Sequence, residues 1–175
     1  TEIYTLSLHD ALPIFPVFLS LYAENDLRLD KYFAETDEKG FRKNKKAGSN
    51  NYLCTFRVGE IYLTAAEAAA RLGELSQART RLLELMRKRY APEAYEAKSV
   101  VVNAMDKEAL VQEILDERAR ELAFEGHRWF DLRRSTRPRL EKVLDGTRYV
   151  LEENDARYTL AIPKEAIEAN PGLLN

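Results

Sequence analysis

Three carboxylates stand four residues apart in this chain, Glu117, Glu121 and Glu125, and Asp131 follows shortly after. Carboxylate pairs are the working parts of glycoside hydrolysis, one kept protonated as the acid and the other ionised as base or nucleophile. Such a pair has to face itself across a sugar ring. Glu117 with Glu121, and Glu121 with Glu125, are i, i+4 pairs, and adjacent turns of one helix point the same way. Arg118, Arg120 and Arg128 are interleaved with them. Guanidinium groups hold neighbouring carboxylates ionised and bind them with fixed geometry. The pattern therefore favours structural ion pairs over an acid–base couple.

The other reactive side chains point the same way. His127 is the only histidine after residue 14. With no serine or cysteine nucleophile beside it and no second nitrogen ligand, neither a triad nor a zinc site assembles. Trp129, the sole tryptophan, could lie flat on a pyranose, but it falls in register with Val111, Leu115 and Leu122 and reads as core. Asp131 reads as an acceptor for Arg128, Arg133 or backbone amides. Cys54 is the only cysteine, which excludes an intrachain disulfide and a cysteine-based metal site, and it reads as a small buried hydrophobe. Tyr32, Tyr52, Tyr90 and Tyr95 lie in or near polar segments and read as exposed aromatics. The sequence assigns no catalytic, cofactor-binding or metal-ligating residue, and it singles out no residue that contacts a ligand.

These residues need a helix to carry them. Asp106 is an N-cap candidate, and the helical pattern after it runs to about Phe124. Arg118 interrupts the apolar stripe between Leu115 and Leu122, and a charge there must pair or snorkel out. The expected arrangement is a half-buried Arg/Glu lattice in which Arg118 meets Glu121, with Glu117 and Glu125 on the same side. Phe124, Trp129 and Phe130 are expected to close over it. Gly126 then loosens or ends the helix, and residues 127–132 wrap back.

Upstream, residues 56–72 form a predicted helix with Ile61, Ala65, Ala68 and Leu72 on its inner face, stopped by Gly73. Residues 75–89 form another, with Leu75, Ala78, Leu82, Leu85 and Met86 inward and Arg79, Arg81, Arg87 and Lys88 outward. Helices with so short a break make an antiparallel hairpin similar to one tetratricopeptide repeat, and a single repeat needs neighbours to bury both faces. Residues 91–105 read as an irregular connector. Arg42, Lys43, Lys45 and Lys46 read as a solvated cluster in a polar loop. Downstream, a short helical piece from Pro138 to about residue 144 and a turn at Asp145-Gly146 are expected. A β-hairpin is expected to pair the run ending at Leu151 with the run Tyr158–Ile162 across Glu153-Asn154-Asp155. A helix over 164–169 follows. The predicted class is mainly α: a tetratricopeptide-like hairpin, a long signature helix and a small C-terminal β-hairpin.

Residues 1–14 resemble the in-frame translation of a common DNA-sequencing adapter, and we expect them to be a non-native segment. They carry Glu2, Asp10 and His9 but no lysine or arginine, so without them the chain has 27 residues of each charge. A neutral chain with no cationic stripe argues against nucleic-acid binding.

The run from Ile114 to Leu132 resembles the signature of the SusD/RagB family, I-x-x-E-R-x-x-E-[LF]-x-x-E-G-x-R-[WY]-x-D-L. Ile114, Glu117, Arg118, Glu121, Leu122, Glu125, Gly126, Arg128, Trp129, Asp131 and Leu132 all fit. Residues 57–73 resemble the family's R-x-x-E-x-[YL]-L-x-x-A-E-A-x-x-x-x-G helix. Residues 158–175 resemble its closing segment, with Ile162-Pro163 and Asn170-Pro171. Arg28, Asp30, Lys31 and Tyr32 suggest a short helix, or the counterpart of the D-x-R-x-x-x-Y-F segment seen in the family. The resemblance implies that residues 15–175 are the C-terminal part of a single SusD/RagB-like domain. It further implies a non-enzymatic, lipid-anchored protein on the surface of the outer membrane. Such a protein binds an oligosaccharide or other nutrient and works with a SusC-like TonB-dependent transporter. Membrane attachment would come only through a lipid anchor lying outside this sequence. The motif residues Glu117, Arg118, Glu121, Glu125, Gly126, Arg128, Trp129 and Asp131 are implied to determine the fold. The alternative reading is a tetratricopeptide-type interaction scaffold with no sugar ligand.

Overall fold

The computed structural model describes residues 16–36, 38, 42–46, 57–144, 146–159, 161–170 and 172. The adapter-like residues 1–14, Tyr52 and Cys54 lie outside them. The chain divides into two compact units, Thr1–Arg128 and Trp129–Asn175.

In the first unit, short helices α1 (Pro16–Leu19) and α2 (Arg28–Tyr32) precede four longer ones, α3 (Val58–Leu72), α4 (Leu75–Met86), α5 (Pro92–Ala104) and α6 (Lys107–Glu121). Helices α3 and α4 form the expected hairpin. Gly73 adopts φ 87°, and its amide and that of Glu74 bond Ala70 O and Ala69 O at 3.1 and 2.9 Å. This closes α3 with the left-handed cap that glycine adopts most readily. Leu63, Ala66 and Ala70 of α3 pack with Ala78, Leu82 and Met86 of α4 and with Leu110 and Ile114 of α6.

The inner face of α3 differs from the expected one. Gly59, Leu63, Ala66 and Ala70 are buried, whereas Ile61 and Leu72 are 48% and 77% exposed. Both stripes of this alanine-rich helix are apolar, so periodicity alone does not choose between them. The approach of α6 does, because Gly59 is the position where the Glu121 side chain comes close.

Residues 92–104 are helix α5, not a connector. Proline suits the first turn of a helix, where its missing N–H is not needed, and Pro92 starts α5 after an extended Ala91. Asp106 caps α6 as expected, accepting from Ala109 N at 2.8 Å. Helix α6 stops at Glu121, and the chain passes through Phe124 (φ 63°) and Gly126 (φ 81°) into α7 (His127–Arg134). Trp129 therefore stands on a different helix from Leu115.

The second unit holds most of α7, strands β1 (Leu140–Leu144) and β2 (Thr147–Leu151), a 3₁₀ turn at Ala156–Tyr158 and α8 (Lys164–Ala169). The β-hairpin exists, but with a different partner strand. β1 pairs antiparallel with β2, from Leu140 opposite Leu151 to Leu144 opposite Thr147. The piece after Pro138 is thus strand rather than helix. Asp145 lies outside the described residues; Gly146, just before β2, has the positive φ, 76°, common in hairpin links. Residues 156–158 do not extend, because Asp155 Oδ1 accepts the Arg157 amide at 2.8 Å and winds them into a turn. Helix α8 falls where the sequence places it.

Candidate functional site: a buried ionic lattice

The first unit closes around charge. Residues 25–27 lie beside residues 89–91, with Leu27 N donating to Arg89 O at 2.9 Å and Ala91 N to Asn25 O at 3.1 Å. This pairing sets Asp26 and Arg28 against Arg89 and Tyr90, facing the last two turns of α6. Arg28 is 2% exposed and all its donors are placed. Its Nε and Nη2 grip Asp26 at 2.9 and 2.7 Å. Its Nη1 reaches Glu117 Oε1 at 2.7 Å and Glu121 Oε2 at 3.3 Å, and Nη2 also donates to the Tyr90 hydroxyl at 3.0 Å.

Glu117 and Glu121 are fully buried. Glu117 Oε2 accepts from Arg120 Nε at 2.9 Å and from the Tyr90 hydroxyl at 3.1 Å. Glu121 is clamped by Arg89, Nε to Oε2 and Nη2 to Oε1, both at 2.8 Å, and Arg57 Nη2 adds a bond to Oε1 at 2.9 Å. Arg57 Nη1 continues to Glu125 at 2.6 Å, and Arg120 Nη2 to Glu113 at 2.6 Å. Gly59 makes the Glu121 position possible: a Cβ there would lie 2.7 Å from Glu121 Oε1.

Lys46 completes the lattice and departs from the solvated cluster expected of it. Its ammonium leaves Lys43 and Lys45 exposed and inserts at the end of α6. There it donates to Glu121 O at 2.6 Å and Ala123 O at 3.1 Å, pairs with Glu125 and lies 4.5 Å from the Tyr32 ring centroid. A cation there satisfies terminal carbonyls and complements the helix dipole.

The electrostatics follow from this packing. Burial alone would push the Glu117 carboxyl up, but Arg28 and Arg120 reverse that and hold it below the usual carboxylate range. Burial opposes the Glu121 charge too, and Arg89, Arg28 and Arg57 overcome it. Burial and the Glu117 charge push the Tyr90 hydroxyl up. Burial lowers Lys46 to about 8. Carboxylates kept ionised by fixed guanidinium groups are poor proton donors, so the arrangement suits cohesion rather than acid catalysis. Among the described residues, no group of three or more His, Cys, Asp or Glu side chains is placed to hold a metal ion.

Of the signature residues, the structure brings Glu117, Glu121 and Glu125 into the lattice. Arg118 is buried but turns to α3, meeting Thr64 Oγ1 at 3.1 Å and Glu60 at 3.7 Å, not Glu121. Two residues further on, Arg120 is the arginine that α6 itself contributes to the lattice. His127 Nδ1 lies 3.6 Å from the same Glu60 carboxylate. Arg128 Nη1 donates to Leu115 O at 3.4 Å. In the second unit, Trp129 stacks on Tyr158 with centroids 5.0 Å apart, and Asp131 accepts from Arg134 at 2.6 Å rather than from Arg128 or Arg133. Of the aromatics expected to close over the lattice, Phe124 joins Phe18, Tyr22 and Phe33 in an edge-to-face layer beside it. Phe130 is 63% exposed. Tyr90, expected at the surface, is buried, and Tyr32 is partly buried.

Sequence reasoning did not single out Asp26 or Arg89, and it misplaced Tyr90 and Lys46. The D-x-R pattern of Asp26 and Arg28 was a usable signal, since that spacing lets aspartate grip the arginine. Nothing local marks Arg89, whose role arises only from the pairing of residues 25–27 with 89–91.

Comparison with known proteins places this geometry. No curated protein matches the chain. A solved structure, described as a SusD-like carbohydrate binding protein from Bacteroides vulgatus ATCC 8482, superposes with a TM-score of 0.62 over 92% of this chain at 20% identity. The chain spans only 41% of that protein's length. Residues 20–175 match the SusD family, which includes all of the lattice and the whole second unit. The chain belongs to the SusD family.

Proposed function

We propose that the protein binds glycans or related nutrients without cleaving them. In this reading residues 15–175 are the C-terminal part of a single SusD-type domain, and residues 1–14 are adapter-derived and contribute nothing to it. The intact protein sits lipid-anchored on the outer face of the outer membrane and hands its ligand to a SusC-like TonB-dependent transporter. The observation that carries the reading is the family match over residues 20–175. The solved relative's description as a carbohydrate binding protein supports the ligand class. The lattice supports the absence of catalysis, because its carboxylates are committed to arginines on the protein's own helices. In the same reading Glu117, Arg118, Glu121, Glu125, Gly126, Arg128, Trp129 and Asp131 hold the fold and do not touch ligand. No helix among the described residues is long and apolar enough to cross a membrane.

The test is retention of the full-length parent protein on immobilised glycans, with released sugars monitored and a SusC-like transporter sought by co-purification. Retention without products is expected. Cleavage overturns the non-enzymatic reading. Loss of all retention favours the interaction-scaffold alternative, which the exposed Ile61–Leu72 stripe of α3 would suit.

A further inference from the structure

Helix α7 carries an exposed aromatic ring, and Arg133 on the helix and Arg137 just after it have no carboxylate partner among the described residues. Phe130, 63% exposed, is the most exposed aromatic side chain of the second unit. Helical spacing sets Phe130, Arg133 and Arg134 on one face, while Trp129 stacks away on Tyr158 and Asp131 is buried. Arg134 is committed to Asp131 through Nε and Nη2 at 3.0 and 2.6 Å. Arg133 has no carboxylate partner among the described residues. After α7 the chain turns back at Arg137, which takes φ 41° and bonds Leu132 O through its amide at 3.0 Å. That reversal returns the Arg137 side chain to the helix end, where Nε donates to Arg133 O at 3.0 Å. Its Nη atoms have no partner among the described residues. Helical spacing thus puts Arg133 on the face of the exposed ring, and Arg137 is held at the C-terminal end of the same helix, neither with a carboxylate partner among the described residues.

We propose that this face is a subsite for carboxylate-bearing sugars, with Phe130 as the stacking surface and Arg133 and Arg137 as the anion clamp. The inference rests on the glycan-binding reading above and names the class of glycan. A pyranose offers an apolar C–H face to an aromatic ring. A uronate adds a planar carboxylate whose geometry matches a guanidinium fork. A neutral sugar would use the ring and leave both cations unanswered; a free anion would use the cations and leave the ring bare.

Trp129, adjacent to Phe130 and the sole tryptophan, is a built-in reporter. The experiment titrates the full chain with galacturonate oligomers, with the same oligomers methyl-esterified, and with polyglutamate, following tryptophan fluorescence. Saturable binding of the acidic sugar is expected, with the ester weaker by about tenfold or more. Arg133→Gln and Phe130→Ala should each weaken it by about tenfold, while Arg81→Gln on α4 should leave it unchanged. Circular dichroism checks the variants; if Phe130→Ala does not fold, the ester comparison and Arg133→Gln still decide. Equal binding of acid and ester, no binding of the acid, equal binding of polyglutamate, or an unchanged Arg133→Gln overturns the subsite. Retention of neutral glycans in the pull-down would survive any of those results, whereas loss of all glycan retention sinks the parent reading.

Discussion

Glu121 and Glu141 are held alike and buried differently. Each carboxylate sits between two arginines within 2.9 Å: Arg57 and Arg89 for Glu121, Arg139 and Arg148 for Glu141. The Glu121 side chain is fully buried in the first unit, whereas Glu141 is 34% and Arg148 62% exposed on the β-hairpin of the second. Distance does not distinguish the two sites; water does. Around Glu141, solvent screens the charges and takes over any bond that is lost. Around Glu117 and Glu121 no water competes, so removing one partner strands another charge in a low-dielectric interior. The lattice is therefore a point of mutual dependence, and the hairpin ladder is not.

The sharpest way to break that contrast is to remove a lattice anion. Glu117→Ala leaves Arg28 and Arg120 buried without their shared acceptor and should destabilise the chain by about 3–5 kcal/mol in urea unfolding. A loss below about 1 kcal/mol would put Glu117 in the same class as a surface charge. Gly59→Ala should come next, at about 1–3 kcal/mol, because its Cβ meets a carboxylate that Arg57 and Arg89 pin in place. If Glu121 simply moved aside, the variant would be as stable as the parent.

pH separates the lattice's own charges. Glu117 and Glu121 titrate below the ordinary 4.5 in the fold. Their contribution is therefore full above that pH and lost as pH falls through the depressed values. Acid unfolding monitored by circular dichroism should be shallower in Glu117→Gln than in the parent. Lys46 runs the other way. Its folded value, about 8, lies below the ordinary 10.5, so between those values the unfolded chain holds the extra proton and stability rises with pH. Above pH 10, Tyr22 and Tyr90, which keep their protons in the fold, reverse the trend. Lys46→Met should remove the rise between pH 8 and 10. The smallest effect belongs to the hairpin: Glu141→Gln should leave the urea midpoint unchanged within error, and a measurable drop would show that the exposed ladder is coupled after all.

Much of the architecture was legible along the chain because its signals are local. The Gly73 stop, the Asp106 cap, the inward stripe of α4 and the Lys164–Ala169 helix each depend on a few neighbouring residues. So does the expectation that Glu117 and Glu121 are neutralised within a helical body. Misreadings arose where two local solutions were equally good. Pro92 served as well to begin a helix as to follow one, and the segment after Pro138 served as a hairpin strand where a short helical piece was expected. The two apolar stripes of α3 were indistinguishable without α6.

Residue types and helical spacing were enough to dictate that a charge-laden helix must be neutralised by internal pairing, since burying an unmatched charge is too costly for a domain of marginal stability. Which cations do the pairing was settled only by the tertiary structure. Arg28, Lys46, Arg57 and Arg89 reach α6 from segments 32 to 93 residues away along the chain. The reason is physical: helix periodicity is encoded every few residues, whereas the partner of a buried charge is chosen by whichever backbones pack against it.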